Sequence, residues 1–111
     1  MSARVYEAEF RRVLELFERN RSVLVIGHVD PDGDCIGSML AIGLLLEGMG
    51  KEVRCYAPGE RSELFDRMPG SGLLAPVELV RGFEYDLVVA VDAPTTGRTE
   101  NVVRPGGRVD V

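Results

Sequence analysis

Residues 27–38 read GHVDPDGDCIGS and place one histidine and three aspartates within seven residues, His28 to Asp34. Asp30, Asp32 and Asp34 would repel one another in a poorly solvated crevice. A bound divalent cation is the simplest way to make that density of negative charge favourable. His28 is the single histidine of the chain and adds an imidazole to the oxygen donors. Mixed nitrogen and oxygen ligation suits Mn²⁺, tolerates Zn²⁺, Co²⁺ or Fe²⁺, and fits an all-oxygen calcium cage poorly.

Two other chemistries fail on spacing. Asp30-x-Asp32-x-Asp34 imitates the start of an EF-hand loop, but the sixth and twelfth positions are Cys35 and Ala41 where glycine and glutamate are needed. The loop has neither a G-x-x-x-x-G-K-[ST] nor a G-x-G-x-x-G signature, and its carboxylates would repel phosphate unless a cation intervened. Gly33 and Gly37 would then allow a close backbone approach. Structural roles compete for the same residues. Asp30 beside Pro31 suits a turn, and Asp34 suits the N-cap of a helix beginning at Cys35. Cys35 reads as a packed thiol, since nothing identifiable in the sequence activates it.

Positioning such a loop requires strands and helices around it. Residues 3–20 place Val5, Phe10, Val13, Leu14 and Phe17 at near-helical spacing among charged residues, which predicts an amphipathic helix. Val23–Ile26 is apolar at every position, as in a strand covered on both faces. Residues 35–49 predict a helix apolar nearly all round and deeply buried, closed by Gly50 in a left-handed conformation. Residues 51–56 predict a second strand, residues 62–67 a short helix, and residues 85–91 a further buried strand delivering Asp92 at its end. Residues 73–84 fit no single pattern. The alternation predicts an α/β domain with a mostly parallel sheet and helices on both faces. In such sheets ligands sit beyond the carboxyl ends of the strands, where His28, the aspartate loop and Asp92 would gather.

The whole chain bounds these readings. Its 111 residues suit one small domain, with 45% hydrophobic residues and no internal repeat. A net charge of −5 argues against broad binding to a polyanion. Cys35 and Cys55 form no C-x-x-C pair and read as reduced thiols. The first residues have no signal-peptide character, and the longest apolar stretch is too short for a bilayer span, so a soluble cytoplasmic protein is expected.

The motifs resemble those of the DHH phosphoesterases. His28-Val-Asp-Pro-Asp32-Gly-Asp34-Cys-Ile-Gly-Ser38 is similar to the first motif of that family. Val-Val-Ala-Val-Asp92-Ala-Pro, with Arg98 following, is similar to the second. The Gly-Ser ending and the run AIGLLLEGMGKEV (41–53) are most similar to the branch that hydrolyses short oligoribonucleotides and 3′-phosphoadenosine 5′-phosphate. The resemblance implies two metal ions, Mn²⁺ first, with Mg²⁺, Co²⁺ or Zn²⁺ as alternatives. His28 and Asp32 would hold one, Asp34 the other, and Asp92 would touch both, with Asp34 and Asp92 acting in catalysis and Arg98 and Ser38 as candidate substrate contacts. Paired cations would clamp the phosphate, activate a water and stabilise the leaving oxygen.

The family's Asp-His-His motif has no counterpart here, and Asp110 is not assigned to it. Residues 1–111 therefore read as part of a DHH domain ending before that motif. The expectation is an enzyme in the full-length parent and little or no activity in this polypeptide alone. A pyrophosphatase or exopolyphosphatase-type hydrolase is the alternative, although Gly33 stands where the pyrophosphatase branch would carry threonine. A metal- or nucleotide-binding module without catalysis is another. An exposed sheet edge would favour a homodimer.

Overall fold

The computed structural model describes residues 7–27, 32–58 and 63–91. His28, Asp30, Asp92, Arg98 and Asp110 lie outside the described residues, as does Val5. The elements in chain order are α1 (Glu7–Arg19), β1 (Ser22–Ile26), α2 (Gly33–Gly48), β2 (Glu52–Tyr56), two 3-10 turns (Glu63–Arg67 and Ser71–Leu73), α3 (Val77–Arg81) and β3 (Leu87–Ala90).

The three strands form a parallel sheet in the order β2-β1-β3. β1 is central, so its inner residues are buried on both faces, which is why Val23–Ile26 needs no polar alternation. Val23 and Val25 face one core with Val53, Cys55, Leu87 and Val89, closed by α2 and by Leu16 and Phe17 of α1. Leu24 and Ile26 face the other with Tyr56 and Val88, closed by Val80 of α3 and by Phe83 and Tyr85. Helices thus cover both faces, as the sequence pattern implies. Each fully buried aliphatic side chain of β1 contributes about 1.5–3 kcal/mol to holding the layers together.

Two expectations of burial need correction. Phe10 and Leu14 fall on the exposed side of α1, while Leu16 and Phe17 are the buried pair. Phe10 and Leu14, with Val13, Phe17, Ile42, Leu45 and Val89, line a groove of about 520 Å³ between α1 and α2. α2 buries Cys35, Ile36, Met39, Leu40, Gly43 and Leu46 against the sheet, but Leu44 and Leu45 are exposed. A helix laid on one face of a sheet covers only the side that meets it.

Glycine is required at two positions, for different reasons. Gly50 has φ +82° and closes α2 in the left-handed region, as the sequence predicts. At Gly43 a Cβ would come within 2.9 Å of Leu73 Cδ1 and 3.0 Å of Cys55 Sγ, so its absence lets α2 lie close on β2. The ambiguity of residues 73–84 has a local cause: α3 is only five residues long, too short to display a helical period. Among the described residues, no helix is long and apolar enough to cross a membrane.

Candidate functional site

β1 and β3 end at the same level. Ile26 pairs with Ala90, and Val91 N–H donates to Ile26 O at 2.8 Å. On the other side Gly27 N–H donates to Tyr56 O at 2.9 Å, so the end of β1 is fixed to both neighbours. In the sequence His28 follows Gly27 and Asp92 follows Val91. The chain also passes from β1 to β2 on one side and returns to β3 on the other. The β1/β3 boundary is therefore a topological switch point, where open α/β sheets bind ligands.

α2 begins over the end of β1, where Gly27 lies against Cys35 and Met39. It starts at Gly33, with Asp32 as N-cap in extended conformation (φ −89°, ψ −178°) and its Oδ1 accepting from Cys35 N–H at 2.8 Å. The capping role suggested for Asp34 therefore belongs to Asp32, two residues earlier. Asp34 stands in the first turn and is exposed. Among the described residues its side chain has no hydrogen bond or ion pair that would give it a purely structural role. Ser38, one turn further along, is also exposed. A Cβ at Gly33 would meet nothing within 4 Å, whereas at Gly37 it would make ordinary contact with Met68 Cε at 3.7 Å. Packing demands glycine at neither position.

Cys35 and Cys55 are both buried, and no disulfide joins them. Burial, with a smaller contribution from the charge of Glu47, pushes the Cys55 thiol up to about 12, which makes it inert as a nucleophile. Cys35 sits beneath the helix start with its Sγ 3.9 Å from Met39 Sδ.

Of the sequence-derived candidates, the structure places Asp32, Asp34 and Ser38 at one helix start beside the end of β1. His28, Asp92 and Arg98 belong to segments outside the described residues. Among the described residues no three His, Cys, Asp or Glu side chains are grouped to hold a metal ion. Asp32 and Asp34 supply two exposed carboxylates, hard oxygen donors of the kind a divalent cation such as Mn²⁺ accepts.

The profile of the DHH family, N-terminal domain, matches residues 22–106. The chain belongs to the DHH family. That match spans both of the strands that deliver the motifs and all of α2. Among solved structures, the DHH-family fold described here is similar to an exopolyphosphatase-related protein from Bacteroides fragilis. The TM-score is 0.78 and the identity 26%, over 93% of this chain and 33% of that one. The chain thus spans a third of the length of its solved neighbour.

One acidic residue of this DHH-family chain that sequence reading passed over proves structural. Asp86 accepts from Arg21 N–H at 3.1 Å and Ser22 N–H at 3.0 Å, tying the beginnings of β1 and β3 at the end of the sheet away from the aspartate loop. No motif marks it. Its position just before an apolar run is the only available signal.

Proposed function

We propose that the protein acts as a manganese-dependent phosphoesterase on short oligoribonucleotides or 3′-phosphoadenosine 5′-phosphate. In this reading His28, Asp32, Asp34 and Asp92 hold the cations, and the chain forms the first part of the catalytic domain of a longer enzyme. The observation that carries the reading is the level ending of β1 and β3, with the start of α2 against the end of β1, in a chain of the DHH family.

The chain's own residues account for much of the chemistry. Asp32 is oriented by Cys35 N–H, so this carboxylate is held by the helix start rather than left to rotate. Asp34 projects from the first turn, where the partial positive charge of the helix end also favours an incoming phosphate. Ser38 offers a hydroxyl one turn away, and Arg98 is the candidate cation for the substrate's distal phosphate or ribose side. When bound, the cations supply the positive charge that offsets the acidic loop, polarise the phosphoryl group and activate the attacking water. The carboxylates orient, and the electrostatic stabilisation of the developing charge comes from their cargo.

The alternative is a hydrolase acting on polyphosphate or pyrophosphate. It is favoured by one observation, the description of the Bacteroides fragilis neighbour as exopolyphosphatase-related. A substrate panel separates the two. The full-length protein carrying this chain, supplied with Mn²⁺, is assayed on a short oligoribonucleotide, 3′-phosphoadenosine 5′-phosphate, polyphosphate and pyrophosphate. The expected result is turnover of the first two with kcat/KM at least tenfold above the others. Preference for polyphosphate or pyrophosphate would replace the main reading with the alternative, and no turnover of any phosphate ester or anhydride would remove both.

A further inference from the structure

Cys35 joins the two halves of the aspartate loop. Its backbone N–H holds Asp32 Oδ1 at 2.8 Å, while its side chain lies over Gly27, the last described residue before His28. A Cβ at Gly27 would stand 2.6 Å from Cys35 Sγ, 2.6 Å from Met39 Sδ and 3.4 Å from Ala57 Cβ. Gly27 itself cannot yield, because its N–H is bonded to Tyr56 O and its neighbour Ile26 is paired on both sides. The two sulfurs differ in freedom. Met39 can swing its flexible thioether aside, but Cys35 Sγ stands only two bonds from the helix backbone, so a side chain at position 27 would push the first turn of α2 outward.

We propose that Gly27 and Cys35 are a matched pair that positions the metal-binding carboxylates: the missing side chain at 27 sets how closely the α2 start approaches the end of β1, and so where Asp32 and Asp34 stand relative to that strand end. This rests on the metal-binding reading of His28, Asp32, Asp34 and Asp92. Neither Gly27 nor Cys35 is a ligand in it. Both act through the position of the helix start.

The test is Mn²⁺ binding by titration calorimetry on the full-length protein, with thermal unfolding recorded in parallel. Gly27→Ala is expected to weaken Mn²⁺ binding at least tenfold. Gly27→Ala combined with Cys35→Ala, in which the new methyl occupies the space of the removed sulfur, is expected to return to within about threefold of wild type. Gly43→Ala is the comparison for mere destabilisation, since its Cβ would also crowd neighbours (2.9 Å to Leu73 Cδ1) but in the middle of α2. It should lower the unfolding temperature while leaving Mn²⁺ affinity unchanged. If wild type binds Mn²⁺ and folded Gly27→Ala binds it equally well, the positioning proposal is overturned while the metal site stands. A folded double variant that binds as weakly as Gly27→Ala overturns it too. If neither Gly27 variant folds, the contact is a condition of folding rather than a positioning device. Absence of Mn²⁺ binding by wild type removes the metal reading itself.

Discussion

Val91 N–H donates to Ile26 O at 2.8 Å, so β3 and β1 end side by side, with the start of α2 against the end of β1 at Gly27. This single relationship sets the ends of the two strands that precede the sequence motifs side by side. The loop after β1 carries a histidine and three aspartates, and the segment after β3 begins with Asp92.

The exposed position of Asp34 separates function from stability. Asp34→Ala should lower kcat/KM more than about 100-fold, since loss of even an indirect metal partner typically costs 10–100-fold. Its stability should change by less than about 1 kcal/mol, the usual size of a charge effect at a helix N-terminus. A large loss of stability in denaturant unfolding would show that Asp34 is structural.

Asp32 should behave differently, because it is both cap and candidate ligand. Asp32→Ala is expected to destabilise the protein by about 0.5–2 kcal/mol through loss of the cap. Asp32→Asn keeps the capping oxygen and should retain near-native stability while still losing activity. Parallel unfolding and turnover measurements on the two variants check this, and full activity in Asp32→Asn would argue against a role as metal ligand.

Asp86 predicts the opposite pattern. Asp86→Ala removes the acceptor for two backbone N–H groups at the start of β1 and should destabilise by about 1–2 kcal/mol. Activity per folded molecule should remain unchanged, since this end of the sheet is away from the aspartate loop. A selective fall in kcat with unaltered stability would contradict the assignment.

The Cys55 thiol makes stability pH-dependent in alkali. Its folded value is raised from an ordinary 9.0 to about 12, chiefly by burial. Between those values the unfolded chain releases the proton while the folded one keeps it, so stability falls as pH rises, by about 1.4 kcal/mol per pH unit; below pH 9 the group contributes no slope. Cys55→Ala should flatten the alkaline limb relative to wild type in urea unfolding from pH 8 to 11. Identical slopes in the two proteins would exclude Cys55 as the source.

The two glycines near the end of α2 should respond with opposite signs. Gly48 is helical with nothing within 4 Å of a Cβ, so Gly48→Ala should stabilise by about 0.4–1 kcal/mol. Gly50, at φ +82°, should lose about 1–2 kcal/mol on substitution by alanine. Equal effects would mean that the left-handed closure of α2 is not retained in solution.

What was legible in the sequence follows from physical period. Val23–Ile26 and Leu87–Ala90 are short, wholly apolar runs, and both became buried parallel strands. The helix of residues 35–49 was legible in kind but not in depth, because composition cannot say which side of an apolar helix meets the sheet. Phe10 and Leu14 were misplaced for the same reason, one step around α1. Asp32 and Asp34 are chemically equivalent as caps, and only the path of the chain into Gly33 decides between them. The closeness of Gly27 to Cys35 lay beyond any pattern, since it arises from tertiary packing between a strand end and a helix start.

The most direct test of the central claim is Mn²⁺-dependent hydrolysis of a short oligoribonucleotide and of 3′-phosphoadenosine 5′-phosphate by the full-length protein, with Asp34→Ala assayed beside it. The account predicts turnover that requires Mn²⁺, is lost on chelation and falls more than about 100-fold in the variant. Turnover that persists in Asp34→Ala, or binding of Mn²⁺ without hydrolysis of either substrate, would contradict it.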